Sequence, residues 1–196
     1  LVLYGDVPLI QAETLKRLLQ AAQDALAILT VELADPSGYG RIVRNAKGEV
    51  VRIVEQKDST PEERAIREIN TGIMAMPTAR LGEWLGRLSN NNAQQEYYLT
   101  DVIGIFRSEG WPVSATVVED ATEVMGINTR VELADATAVL RDRIRRRLML
   151  DGVTMLDPAS VHVDVDVEIG QDTVIYPGCV IEGRTRIGSG CVIGPH

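Results

Sequence analysis

An apolar run, Leu1-Val2-Leu3-Tyr4, ends at Gly5-Asp6. Read as a strand of an α/β sheet, it sets the Asp6 carboxylate at the sheet's C-terminal edge, the crevice where such sheets bind ligands. A carboxylate there can hold Mg2+, a hard cation that prefers oxygen and is often shared with substrate phosphates. Gly5 lets a ligand approach the backbone closely. The plain alternative for Asp6 is a cap on the next helix. Gly38-Tyr39-Gly40-Arg41 offers tight backbone geometry and free N–H groups for a hydroxyl or phosphate, or simply a turn into a strand. Glu55 ends a strand, and Asn70, with both donor and acceptor, opens another. Asn90–Asp101 is a polar block enclosing Tyr97 and Tyr98, the mixture of polar side chains and aromatic walls that a sugar site needs. Asn128 follows Gly126-Ile127 and is placed to cap a helix.

Other chemistries find no support. His162 and His196 do not pair, and no HxxxH or CxxC spacing suggests zinc. There is no Gly-x-Ser-x-Gly elbow for a serine nucleophile. A formal charge of −8 disfavours nucleic acid as a partner. No stretch of about 18 apolar residues marks a membrane span. Cys179 and Cys191 lie two hexads apart, so they read as buried small thiols rather than a disulfide.

These residues need elements to hold them. Strand-like stretches at 1–4, 26–33, 40–44, 50–55, 69–76 and 113–118 alternate with helical patterns at 12–27, 79–88 and 100–109. Pro61 marks a further helix start within 59–67. Asn45-Ala46-Lys47-Gly48 signals a hairpin. The alternation predicts an α/β domain with a mixed, mostly parallel sheet. Leu133, Leu140, Ile144 and Leu148 then form one apolar stripe, with Arg141, Arg143, Arg145, Arg146 and Arg147 crowding its second half and Gly152 after it. This predicts a long helical arm.

The last stretch counts in sixes. Val163, Ile169, Ile175, Ile181, Ile187 and Ile193 recur without a miss, with Thr173, Cys179, Thr185 and Cys191 in a second phase. A six-residue aliphatic repeat predicts a parallel β-helix, each hexad forming one side of a triangular coil. The expected division is 1–128, 129–152 and 153–196.

Leu-Tyr-Gly-Asp-Val-Pro-Leu-Ile, Asp-Pro-Ser-Gly-Tyr-Gly-Arg-Ile, Ile-Val-Glu-Gln-Lys-Asp, Glu-Ile-Asn-Thr-Gly-Ile, Asn-Asn-Asn-Ala-Gln-Gln-Glu-Tyr-Tyr-Leu-Thr-Asp and Gly-Ile-Asn-Thr-Arg occur in that order before the hexads. Together they resemble the bacterial bifunctional UDP-N-acetylglucosamine pyrophosphorylase / glucosamine-1-phosphate N-acetyltransferase family. The resemblance implies a Rossmann-like nucleotidyltransferase domain, a helical arm and the start of a left-handed β-helix that makes a homotrimer. It implies conversion of UTP and N-acetylglucosamine 1-phosphate to UDP-N-acetylglucosamine and pyrophosphate, with Mg2+, in a cytoplasmic enzyme supplying peptidoglycan and lipopolysaccharide synthesis. By resemblance, Asp6 and Asn128 ligate the metal, and Tyr4 and Gly5 line the nucleotide-sugar site. Gly40, Glu55 and Asn70 contact the N-acetylglucosamine moiety, and Tyr98 and Thr100 wall it. The second activity of the family uses acetyl-CoA.

Two family features have no counterpart in this sequence: the glycine-rich triphosphate loop with the uracil-reading segment, and the acetyltransferase residues. His196 matches no catalytic histidine of the family. The expectation is therefore a fragment lacking both ends and inactive alone in both reactions. Two other readings keep the fold: a different sugar-1-phosphate nucleotidyltransferase with a β-helix tail, or a non-catalytic assembly subunit.

Overall fold

The computed structural model describes residues 1–92 and 94–195. The chain divides into two compact units, Leu1–Gly126 and Ile127–His196.

The first unit holds α1 (Ala12–Ala21), β1 (Leu26–Glu32), β2 (Arg41–Arg44), β3 (Val50–Val54), α2 (Pro61–Arg64), β4 (Glu68–Ala75), α3 (Leu81–Leu85), α4 (Val102–Ser108) and β5 (Val113–Val118). Its strands form one sheet in the order β3-β2-β4-β1-β5. The α/β class and the mixed sheet are as expected, but the sheet is not mostly parallel. Only β1 and β5 run parallel, while β1–β4, β2–β3 and β2–β4 are antiparallel. A parallel return needs a crossover of about a dozen residues or more, usually helical. The hairpin at Asn45–Gly48 has none, so β3 returns antiparallel beside β2; β4, reached through the α2 connection, runs the same way as β3 but lies between β2 and β1 and is antiparallel to both.

Successive residues of a strand face opposite sides of the sheet. In β1, Leu26 and Ile28 join one core with Ile42, Ile53, Trp84 and Phe106. Ala27, Leu29 and Val31 join another with Leu18, Ile69 and Val118. β1 is therefore buried on both faces, with α3 and α4 covering one and α1 the other.

Several expected boundaries move. Leu1–Tyr4 is not a strand of this sheet; Val2 makes one isolated antiparallel bridge to Met74. The helix predicted to Ala27 stops at Ala21, because Leu26 and Ala27 are needed by β1. The helix predicted over 79–88 contracts to α3. The one predicted over 100–109 becomes a 3-10 turn at Leu99–Asp101 followed by α4.

The second unit opens with α5 (Arg130–Leu150). Thr129 is its N-cap: the hydroxyl accepts from Glu132 N, and the Glu132 carboxylate accepts from the backbone of Thr129. The helix closes at Asp151 and Gly152, where φ is +96°. Ile144 and Leu148 are buried in one core with Val153, Val161, Val163 and Ile175, so this helix packs within its own unit as well as leading into it.

Seven two-residue strands follow: β6 (Thr154–Met155), β7 (His162–Val163), β8 (Glu168–Ile169), β9 (Val174–Ile175), β10 (Val180–Ile181), β11 (Arg186–Ile187) and β12 (Val192–Ile193). Val180 pairs with His162, Arg186 with Glu168 and Val192 with Val174, all parallel and one three-hexad coil apart. The sixes in the sequence are thus the sides of a β-helix. Thr173 is fully buried within it, donating to Gly188 O and accepting from Cys191 N of the next coil. Cys179 and Cys191 are both free thiols. His162 is half-buried on β7, and His196 lies outside the described residues.

Candidate functional site

Five of the candidate residues gather at the β2–β3–β4 end of the first sheet, linked by contacts or by a shared cavity. Gly38 adopts φ +87°, turning the chain so that Gly40 enters β2 beside the end of β3. A Cβ at Gly40 would stand 2.9 Å from Ile53 Cγ2 and 3.1 and 3.3 Å from the two Glu55 carboxylate oxygens, so glycine here lets both side chains lie against the backbone. The Gly40 carbonyl accepts from Asn70 N at 2.8 Å. Asn70 Oδ1 in turn accepts from Gly72 N at 3.1 Å. Glu55 receives a hydrogen bond from the Thr100 hydroxyl, and the Tyr98 hydroxyl accepts from Gln94 Nε2 at 2.7 Å.

Glu55, Tyr98 and Thr100 line an open cavity of about 270 Å³, with Asp58, Asp101, Asn91, Asn92 and Arg52. Burial, then the charges of Asp58 and Asp101, push the Glu55 carboxyl above the ordinary carboxylate range, against the Thr100 hydrogen bond. Burial and Asp58 push Asp101 up as well. The pocket therefore concentrates acceptors beside an aromatic wall in a half-buried place. Such a set recognises hydroxyl and amide N–H donors on a polar ring.

Tyr4, Gly5 and Asp6 do not line this cavity. The Tyr4 ring lies against Gly72, where a Cβ would come within 2.3 Å of Tyr4 Cε2. Gly5 has open space where a Cβ would be, and Asp6 is exposed in the turn that follows. Asp6 is not a helix cap: α1 is capped at Gln11, whose N–H donates to the buried Glu123 carboxylate at 3.1 Å. Asn128, in the second unit, is not a cap either, since Thr129 takes that role. The side chains of Asp6 and Asn128 make no hydrogen bond or ion pair among the described residues, and both carry oxygens suited to a hard cation. No group of three or more His, Cys, Asp or Glu among the described residues is arranged to hold a metal unaided. Mg2+ commonly takes one or two protein carboxylates and completes its shell with substrate phosphates and water, and the Asp6 carboxylate is a donor of that kind.

Sequence reasoning missed Asp58 as a member of the acidic pocket, and it included Asp101 in the polar block without placing it beside Glu55. It also missed Gly72 as the seat of Tyr4. A glycine inside a strand is the signal that could have found Gly72, because it often marks a close approach by another group. Ala93, within the polar block, lies outside the described residues.

Residues 166–196 match the family model for the bacterial transferase hexapeptide (six repeats). The whole chain is similar to curated proteins named bifunctional protein GlmU. Identity is 50% over 196 residues with that of Dechloromonas aromatica (strain RCB), covering 100% of this chain and 43% of the relative. It is 54% over 197 residues with that of Stutzerimonas stutzeri (strain A1501), covering 100% and 44%. It is 52% over 199 residues with that of Geobacillus sp. (strain WCH70), covering 100% and 43%. The chain thus spans less than half the length of these relatives. No helix among the described residues is long and apolar enough to cross a membrane.

Proposed function

This chain belongs to the family of the bifunctional GlmU proteins, and on that premise we propose that its first unit is part of a uridylyltransferase. The reaction joins UTP and N-acetylglucosamine 1-phosphate to give UDP-N-acetylglucosamine and pyrophosphate. A phosphate oxygen of the sugar phosphate attacks the α-phosphorus of UTP, and pyrophosphate leaves. No protein nucleophile is needed; catalysis rests on positioning and on stabilising charge.

The observation that carries this reading is the half-buried Glu55 carboxylate, held between Gly40 and Thr100 in a polar pocket walled by Tyr98. In this reading Gly40, Glu55 and Asn70 bind the N-acetylglucosamine moiety, and Tyr98 and Thr100 wall it. Tyr4 and Gly5 line the nucleotide-sugar site, where the open space over Gly5 admits a ligand. Asp6 and Asn128 would hold Mg2+, which supplies positive charge to the phosphates when bound. Their unpartnered side chains support the assignment. The second unit would be the opening of an acetyltransferase module that uses acetyl-CoA and assembles as a homotrimer through the β-helix.

Titration of the chain with UDP-N-acetylglucosamine and Mg2+, followed by amide NMR, tests this reading. Shifts at Gly40, Glu55, Asn70, Tyr98 and Thr100 are expected, and a nucleotide sugar that leaves all five unmoved overturns it. Asp6→Asn removes one charged ligand, and Mg2+ affinity should fall by roughly tenfold or more, equivalent to about 1.4 kcal/mol. Unchanged affinity in that variant refutes the metal assignment.

A further inference from the structure

Arg41 is a cation in the core of the first unit, only 1% exposed. Its two hydrogen-bond acceptors are both neutral, while the exposed Asp35 carboxylate is near enough to feel its charge. Nη1 donates to the Tyr39 carbonyl, and Nη2 donates to Gln56 Oε1 at 2.6 Å. Nε has no partner among the described residues. A buried guanidinium that no carboxylate hydrogen-bonds is unfavourable compared with an apolar side chain of similar size. Packing alone therefore does not account for arginine here.

The two acceptors do. Tyr39 immediately precedes Gly40, and Gln56 immediately follows Glu55. The planar fork of a guanidinium can reach both at once, which an ammonium point charge cannot do with fixed geometry. The loop ahead of β2 and the loop after β3 are thus tied to one side chain, and the tie falls where tolerance is least. A Cβ at Gly40 would crowd Ile53 and both Glu55 oxygens, so the spacing between this turn and Glu55 has little slack. The Gly40 carbonyl is already committed to Asn70 N, so a displaced Gly40 would carry Asn70 with it. The far loop is itself anchored, because Ser59 Oγ donates to the Gln56 carbonyl at 2.8 Å.

We propose that Arg41 is a positioning residue that fastens the Tyr39–Gly40 turn to Glu55–Gln56, and so sets the selectivity of the pocket for an N-acylated amino sugar over the plain sugar. The proposal rests on the reading of this pocket as an N-acetylglucosamine site. Arg41 touches no substrate itself. It fixes the spacing between a backbone and a carboxylate, and a site built around specific donors and acceptors rejects an analogue lacking them far more strongly than a loose one does.

The test compares binding of N-acetylglucosamine 1-phosphate and glucose 1-phosphate to the chain by ligand-observed NMR titration. The wild-type chain should prefer the acetamido sugar by about tenfold or more. Arg41→Lys, which keeps the charge and loses the fork, should weaken N-acetylglucosamine 1-phosphate about tenfold and leave glucose 1-phosphate nearly unchanged, bringing the ratio close to one. Gln56→Ala removes one acceptor and leaves Arg41 in place; it should lower the ratio about threefold, and it decides the matter if Arg41→Lys does not fold. Equal weakening of both sugars, or a ratio retained in the variants, overturns the role of Arg41. A wild-type chain with no preference is a different result: it overturns the sugar-site reading beneath the proposal, and the proposal with it.

Discussion

Ile175 and Glu55 acquire their surroundings in opposite ways. Ile175 is one of six aliphatic residues spaced by six, and it is fully buried because the β-helix repeats that spacing. Its neighbours are its own equivalents one coil away, as Ile193 is on β12. Glu55 belongs to no repeat. Its neighbours come from a turn ahead of β2 and from the 3-10 turn at Leu99–Asp101. The periodic unit spends its regularity on a shared apolar core, and its inward positions are interchangeable in kind. In the aperiodic unit each polar side chain has different company, which is what recognition of one ligand requires. Regularity thus carries architecture, while the candidate chemistry sits where the regular elements stop.

Three substitutions press on this contrast. The largest effect should come from Ile175→Ala. Truncating a fully buried isoleucine costs about 2–5 kcal/mol, and a coil that stacks on copies of itself has little freedom to collapse into the gap. Chemical denaturation should show that loss in the second unit; a change under about 1 kcal/mol would mean the repeat is not a cooperative core. Next is Gly72→Ala, with an expected loss of about 2–3 kcal/mol. Gly72 has φ +80°, a region costly to residues with a Cβ, and that Cβ would collide with the Tyr4 ring. Adding Tyr4→Ala should recover the part due to the collision and leave the backbone part. Full additivity of the two changes would remove the Tyr4–Gly72 contact from the account.

The smallest effect, and the one with opposite sign, should come from Glu55→Gln. Burial together with Asp58 and Asp101 raises the folded-state pKa of Glu55 above its unfolded value. Between those two values the folded chain binds more protons than the unfolded one, so stability falls as pH rises through that window. Removing the charge should stabilise the chain at neutral pH. The gain should be under about 1 kcal/mol, because a half-exposed group is screened by solvent. It should vanish below about pH 4, where the carboxyl is protonated in both states. Thermal unfolding of both forms at the two pH values reads this directly. Destabilisation at neutral pH would mean that the carboxylate serves the fold; stabilisation with loss of sugar binding would mean that it is kept for the ligand.

Much of this was legible beforehand, unevenly. The hexads were readable because period six in aliphatic residues has few structural solutions. The β2–β3 hairpin was readable from Asn45–Gly48, where Asn45 Oδ1 accepts from the N–H groups of Lys47 and Glu49 and Gly48 takes φ +81°. The sheet's direction was not. Apolar runs alternating with helical ones look alike whether a strand's neighbours run parallel or antiparallel to it, and β4 became antiparallel to both of its neighbours by inserting between β2 and β1. Leu1–Tyr4 has strand composition but only one bridge to β4, since composition does not supply a partner. The candidate site was legible as a set of motifs, but the company of its central carboxylate was not.

The sequence by itself determined the α/β class of the first unit, the β-helix of the second and the polar residue types at the candidate site, because these follow from local pattern and side-chain chemistry. Only the tertiary structure decided that Gly40 rests against Glu55, that Asp58 and Asp101 load the same pocket with charge, and that a buried Arg41 ties two loops together. Those contacts join residues from separate loops. Non-local proximity comes from how the whole sheet closes, and no window along the chain contains it.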